Sequence, residues 1–154
     1  MANERGTFWD QPGWLFCALL PLLHFASVKL TFLCGVTPEN VVVVWLPNAV
    51  LLAALMRFEG QRAPLLAALT FCSDVLANMQ AFTWSGAALL GVINLVEVTI
   101  AYQLIRLGNG SFRLQRPKDL IIFILAGPVA GALVTAFIAA AVIQQVFGST
   151  APYL

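Results

Sequence analysis

Five apolar stretches, separated by short polar or turn-forming segments, make up most of this chain. A helix needs about 20 apolar residues to cross a bilayer, within a range of about 17 to 25. The stretches predict membrane-spanning helices over residues 13–34, 41–56, 63–79, 85–105 and 120–147. The second and third are short for a span. The fifth is long enough to tilt, and Pro128 after Gly127 predicts a kink within it because proline removes a backbone donor.

The composition indicates the same fold class. Of the 154 residues, 60% are hydrophobic and 10% are charged, and the mean hydropathy is +0.89. So few polar side chains could not cover a soluble domain, whereas lipid removes the need for a wet surface. We therefore predict an all-α, polytopic integral membrane protein in which residues 1–154 form a single transmembrane domain.

The orientation in the membrane follows from the basic residues. They precede the first predicted helix, separate the second from the third, and separate the fourth from the fifth. With five spans, these segments share one side, and the opposite connections contain no lysine or arginine. The positive-inside rule then predicts a cytoplasmic N-terminus and an external C-terminus. The residues behind this bias are Arg5, Arg57, Arg62, Arg106, Arg113, Arg116 and Lys118.

Polar side chains recur in the middle of the predicted helices, where an ionisable group costs several kcal/mol unless it finds a partner or a cavity. At about 1.5 Å per helical residue, five of them lie roughly 12 to 16 Å from the cytoplasmic end. These five are His24, Asn48, Asp74, Asn94 and Glu97. We expect four helices to contribute to one polar layer at mid-depth.

The spacing of these residues predicts which of them share a helix face. Asp74 and Asn78 are four residues apart, and Asn94 and Glu97 are three apart. Turning both faces inward would form a polar pocket that also includes Asn48. Such a bundle could pair Lys29, which lies nearer the outer face, with Asp74. The pocket is either packing that ties helices together or a site for a ligand or proton, and both readings stay open.

Gly127 and Gly131 form a Gly-x-x-x-Gly pattern on the fifth predicted helix. Small residues at this spacing let another helix approach closely. The approaching helix belongs either to the same chain or to a second copy.

The sequence contains no pattern typical of an enzyme. It has no serine nucleophile elbow, phosphate-binding loop or cluster of metal ligands, and its one histidine and three cysteines are not at metal-binding spacings. The formal net charge of +1 argues against nucleic acid as a partner. We predict no enzymatic activity and no metal site. No cofactor is evident, and a bound lipid is compatible with the sequence.

The middle of the chain resembles a known bacterial family. Trp45-Leu46-Pro47-Asn48, a basic segment from Arg57 to Arg62, and an alanine- and leucine-rich helix ending in a polar pair follow one another. In this order they resemble the type-one membrane-associated sensor domain. The resemblance continues through residues 93–97, 104–107 and 116–120 to Gly127-Pro128, and covers roughly residues 41–140.

The resemblance implies a function in signal transduction. In that family the domain is the input module of sensor histidine kinases and diguanylate cyclases of the bacterial cytoplasmic membrane. Asn94 and Glu97 match the family's asparagine-x-x-glutamate pattern, and Trp45 and Pro47 match its tryptophan-proline element. These four residues are the first candidates for a site, and Asn48 and Asp74 follow.

The chain departs from the family because its sequence ends after the fifth predicted helix without an output domain. An external C-terminus would also keep a cytoplasmic enzyme from being attached there. We therefore expect the protein to act through a signalling partner in the membrane, surrounded by lipid. The alternative is an accessory subunit packed in a larger bioenergetic or photosynthetic membrane complex, which the short soluble parts would suit. A small transporter is less favoured, since no internal inverted repeat is visible.

Overall fold

The computed structural model describes residues 13–34, 45–58, 62–110 and 114–147, and these parts form helices and their connections without a β-strand. The first four helices are α1 (Trp14–Cys34), α2 (Leu46–Arg57), α3 (Ala63–Asn78) and α4 (Trp84–Leu107). The last apolar stretch forms α5 (Pro117–Ile124), a π-helical segment (Leu125–Gly131) and α6 (Ala132–Phe147). Arg5, Arg113 and the predicted helical residues 41–44 lie outside the described residues.

Within the described residues, three helical stretches are long and apolar enough to cross a membrane: Trp14–Cys34, Trp84–Leu107 and Pro117–Ile138. Large apolar side chains such as Leu22 and Phe137 point outward from them, as expected for surfaces that contact lipid. The prediction of an all-helical, polytopic membrane protein is therefore confirmed. At about 1.5 Å per residue, α2 and α3 are shorter than the hydrocarbon layer of about 30 Å.

The start of α2 differs from its prediction. Trp45 has a non-helical backbone, with φ −106° and ψ 88°, and the helix begins at Leu46 with Pro47 in its first turn. Proline suits this position because its missing N–H would have no helical partner there. The backbone N–H of Leu46 donates to Oγ1 of Thr31 at 3.4 Å, which ties the start of α2 to α1.

The irregularity predicted at Gly127-Pro128 takes the form of a π-helical segment rather than a simple proline kink. Pro128 has no N–H to donate to the carbonyl of Ile124, four residues earlier. A wider π turn accommodates this gap in the hydrogen-bond ladder. The helix continues as α6 on the other side of it.

The helices pack so that α2 and α3 lie between α1 and α4, and the segment from α5 to α6 packs against α4. Phe16 and Phe58 have ring centroids 4.5 Å apart, and the guanidinium of Arg62 lies 5.0 Å from the ring of Trp14. The end of α2 and the start of α3 therefore lie beside the start of α1. We call this the basic end. Phe32 and Trp45 meet at the opposite end.

The Gly-x-x-x-Gly pattern contributes to packing within the chain through one of its two glycines. A Cβ on Gly131 would lie 3.4 Å from Cγ of Glu97 on α4, so the missing side chain permits this close approach. A Cβ on Gly127 would have no neighbouring atom within 4 Å.

Candidate functional site

Asp74 lies at the centre of a polar cluster between α3 and α4. Its Oδ2 accepts a hydrogen bond from Nδ2 of Asn94 at 2.9 Å, and its Oδ1 accepts from Nδ2 of Asn78 at 3.3 Å. Nδ2 of Asn78 also donates to the backbone oxygen of Asp74 at 2.9 Å. Asp74 is 2% exposed and Asn78 is fully buried. The structure thus joins three of the predicted pocket residues, which we call the Asp74 cluster.

A small cavity of about 10 Å³ lies on one side of the Asp74 cluster, and we call it the inner cavity. Asp74 and Asn94 line it together with His24 and Asn48, which are both buried. Within the described part of the chain, Nδ1 of His24 and Nδ2 of Asn48 have no hydrogen-bond partner. A cavity of this size is near the minimum for one water molecule. Such a water would accept from Asn48 and donate to Nδ1 of an imidazole that carries its proton on Nε2.

A larger cavity of about 210 Å³, the outer cavity, lies on the other side of the cluster. It is near the end of the bundle opposite the basic end. Aromatic rings and two amides form its wall, and Asn94 lines both cavities. The lining residues are Phe32, Trp45, Asn78, Phe82, Leu90 and Asn94.

Lys29 does not pair with Asp74, contrary to the possibility raised by the sequence. Its Nζ donates to the backbone oxygen of Ala77 at 3.0 Å and lies 4.9 Å from the ring centroid of Phe25. Carbonyl groups in the last turn of a helix lack partners within the helix and carry the negative end of its dipole. The C-terminus of α3 therefore attracts this ammonium group.

Glu97 lies apart from the Asp74 cluster, although its spacing from Asn94 had predicted a shared face. Its Oε2 accepts a hydrogen bond from Oγ1 of Thr135 on α6 at 3.1 Å. Three residues of a helix turn through about 300°, which leaves the two side chains about 60° apart. Because α4 lies between α3 and the last segment, this angle directs Asn94 to one neighbour and Glu97 to the other.

The two residues of the predicted tryptophan-proline element have different positions. Trp45 lines the outer cavity, and its ring meets that of Phe32 edge to face with centroids 6.1 Å apart. Nε1 of Trp45 is buried without a partner among the described residues. Pro47 is buried in the first turn of α2 and lines neither cavity, so its contribution is to the start of the helix.

Several hydroxyl groups that hold the site together were not singled out from the sequence. Oγ of Ser73 donates to the backbone oxygen of Pro21 at 2.6 Å and ties α3 to α1. Thr70 lines the inner cavity, where its hydroxyl donates to backbone oxygens of its own helix. Serine and threonine are common in membrane helices and often bond to their own backbone, so their presence alone carries no signal.

The side chains of the site offer hydrogen-bond donors and acceptors. Carboxylate, amide and imidazole groups line the inner cavity, and amide and indole groups line the outer one. Among the described lining residues, no hydroxyl or thiol is hydrogen-bonded to a base. Within the described residues, no group of three His, Cys, Asp or Glu side chains is arranged to hold a metal ion. Comparisons with models of protein families, with curated proteins and with solved structures gave no match.

Proposed function

We propose that this protein is a non-enzymatic sensory module of a bacterial cytoplasmic membrane, which binds a small molecule within the bundle and acts through partner proteins. One observation carries the proposal: the hydrogen bond between Asn94 and Asp74 joins α4 to α3 with a cavity on each side. A molecule in the outer cavity would lie beside Asn78 and Asn94, which both donate to Asp74. Binding could therefore change how α3 and α4 sit against each other.

The free energies of hydrogen bonds between membrane helices are of the size that such a response requires. A ligand shifts an equilibrium between two arrangements only by the difference in its affinity for them. Hydrogen bonds between membrane helices contribute on average about 0.6 kcal/mol and at most about 1.7 kcal/mol. Coupling free energies between sites are about 1–3 kcal/mol. Rearranging one or two bonds of the Asp74 cluster would supply a coupling of this size.

The resemblance to the type-one membrane-associated sensor domain supports the proposal through two of its four matched residues. Trp45 and Asn94 line the outer cavity, and Asn94 is also bound to Asp74. Pro47 and Glu97 have structural contacts elsewhere. We therefore assign the sensory role to the Asp74 cluster and its two cavities.

The test combines partner identification with two matched variants. The tagged protein is purified from native membranes in mild detergent, and its partners are identified by mass spectrometry. The output of a recovered signalling partner is then measured with Asp74→Asn and Glu97→Gln. Asp74→Asn places an amide N–H opposite an amide donor, whereas Glu97→Gln makes the same chemical change at a carboxylate away from the cavities.

We expect a kinase or cyclase partner whose output changes with Asp74→Asn and not with Glu97→Gln, at equal protein levels. Recovery in fixed stoichiometry with a bioenergetic or photosynthetic complex, whose activity neither variant affects, would identify an accessory subunit and overturn the proposal. An equal response to both variants would also overturn it, because the effect would then not come from the Asp74 cluster.

A further inference from the structure

The outer cavity is large enough to hold a small ring compound. Its volume of about 210 Å³ exceeds that of an engineered apolar cavity of about 150 Å³ that is known to bind benzene. A single six-membered ring would leave part of it unfilled. A flat molecule of two fused rings is the better match in size.

The walls of the outer cavity favour an aromatic molecule without charge. Phe32, Trp45 and Phe82 contribute three rings, and aromatic pairs gain stability from offset or edge-to-face contacts. None of the lining side chains that the structure describes is charged. A charged ligand would have to leave water without a counter-charge in this wall, which costs several kcal/mol.

Two buried polar atoms on residues of the wall are candidates for hydrogen bonds to a ligand. Nδ2 of Asn78 is held by the two oxygens of Asp74 described above, so the orientation of the amide is fixed and Oδ1 is left as an acceptor. This Oδ1 is buried without a partner among the described residues, and so is the donor Nε1 of Trp45. Leaving such groups unpaired costs about 1–3 kcal/mol each. A ligand that donates to Asn78 and accepts from Trp45 would remove both costs.

We propose that the outer cavity binds an uncharged, bicyclic aromatic molecule that carries one N–H or O–H donor and one carbonyl acceptor. A fused aromatic lactam combines these properties. The inference rests on the proposed function, because it names the ligand class of the sensory module. Binding by itself can nevertheless be tested without any partner.

The experiment measures binding to the protein in lipid nanodiscs by isothermal titration calorimetry, with empty nanodiscs as the baseline for partition into lipid. The probes are 2-quinolone, which has both N–H and C=O, quinoline, which has only an acceptor, and naphthalene, which has neither. Trp45→Phe removes the indole N–H and keeps a ring. Trp84→Phe makes the same change at an exposed tryptophan that does not line the cavity.

We expect the unmodified protein to bind 2-quinolone more tightly than quinoline or naphthalene. Trp45→Phe should weaken 2-quinolone binding about five- to tenfold, the effect of one hydrogen bond, and should weaken naphthalene binding less, because naphthalene loses only ring contact. Trp84→Phe should alter neither. The inference is overturned if 2-quinolone does not bind above the nanodisc baseline, if all three probes bind equally, or if Trp45→Phe has no effect. A partner whose output still depends on Asp74 would then leave the proposed function standing with a different ligand.

Discussion

The side-chain amide of Asn94 donates a 2.9 Å hydrogen bond to Oδ2 of Asp74, twenty residues earlier in the chain, and so connects α4 to α3. Asn78 occupies the other carboxylate oxygen from within α3. Both oxygens of an intramembrane carboxylate are therefore engaged by amide donors. Asn94 therefore connects the two helices, whereas Asn78 bonds to Asp74 within α3.

The first prediction concerns this link. Asn94→Leu removes the donor and leaves Oδ2 of a buried carboxylate without its partner from α4, which should lower the free energy of unfolding by about 1–3 kcal/mol. Reversible unfolding in mixed micelles with increasing denaturing detergent measures the change. The control is Thr99→Leu, which replaces an exposed polar residue of α4 and should change stability by no more than about 0.5 kcal/mol. Equal effects of the two substitutions would show that the bond to Asp74 adds nothing.

The second prediction compares two glycines. A Cβ on Gly91 would lie 2.9 Å from Cε2 of Phe71 and 3.4 Å from Cγ2 of Val75, so Gly91→Ala must displace a ring between α4 and α3. Overpacking of this kind costs about 1–3 kcal/mol. Gly127→Ala meets no atom within 4 Å and should be neutral or stabilise by up to about 1 kcal/mol through its helix propensity.

Thermal unfolding of both glycine variants in the same detergent makes this comparison. A large loss of stability for Gly127→Ala would mean that this glycine contacts something beyond the described residues, such as a second copy of the chain. No loss for Gly91→Ala would mean that Phe71 moves aside without cost.

The third prediction concerns the start of α5. Oδ2 of the buried Asp119 accepts from the backbone N–H of Arg116 at 3.3 Å, and the guanidinium Nε of Arg116 is 3.8 Å from the same oxygen. Asp119→Ala should cost about 1 kcal/mol, as expected for loss of a helix cap. Arg116→Ala keeps the backbone donor and loses only an exposed, long ion pair, so it should cost less than about 0.5 kcal/mol. If Arg116→Ala had the larger effect in the same unfolding assay, the ion pair and not the cap would hold α5.

How far the sequence could predict this structure depends on the range of each interaction. The apolar stretches indicate the helices because burial in lipid requires continuous apolar residues and internal backbone hydrogen bonds. The pairing of Asp74 with Asn78 follows from a spacing of four residues on one helix. The predicted start of α2 was wrong because an apolar run does not show where the backbone leaves the helical conformation. The backbone of Trp45 is not helical, although Trp45 belongs to the apolar run.

The tertiary partners of polar residues could not be predicted in the same way. The depth of Lys29 in the membrane suggested a pair with Asp74, but Lys29 bonds to the backbone oxygen of Ala77 at the end of α3. This acceptor can be identified only when the end of the helix is known. Glu97 and Asn94 differ in direction by about 60°, and the order of helices around α4 decides what each one meets. Buried atoms without partners, such as Oδ1 of Asn78, emerge only from the packed structure.

The fourth prediction tests the orientation in the membrane. The basic end contains Arg57 and Arg62, and the alternating direction of the helices brings Arg106, at the end of α4, and Lys118, at the start of α5, to the same end. Cations near helix ends are retained on the cytoplasmic side.

Cys34, at the opposite end of α1, is an exposed thiol and therefore serves as an external reporter. In a background of Cys17→Ala and Cys72→Ala, a membrane-impermeant maleimide added to sealed right-side-out vesicles should label Cys34. In the same background with Cys34→Ala, a thiol introduced by Lys118→Cys, at an exposed position in the first turn of α5, should react only after the vesicles are opened. The opposite result is labelling of the Lys118→Cys variant, and not of Cys34, in sealed vesicles. It would show the reverse orientation and would place the outer cavity near the cytoplasmic face.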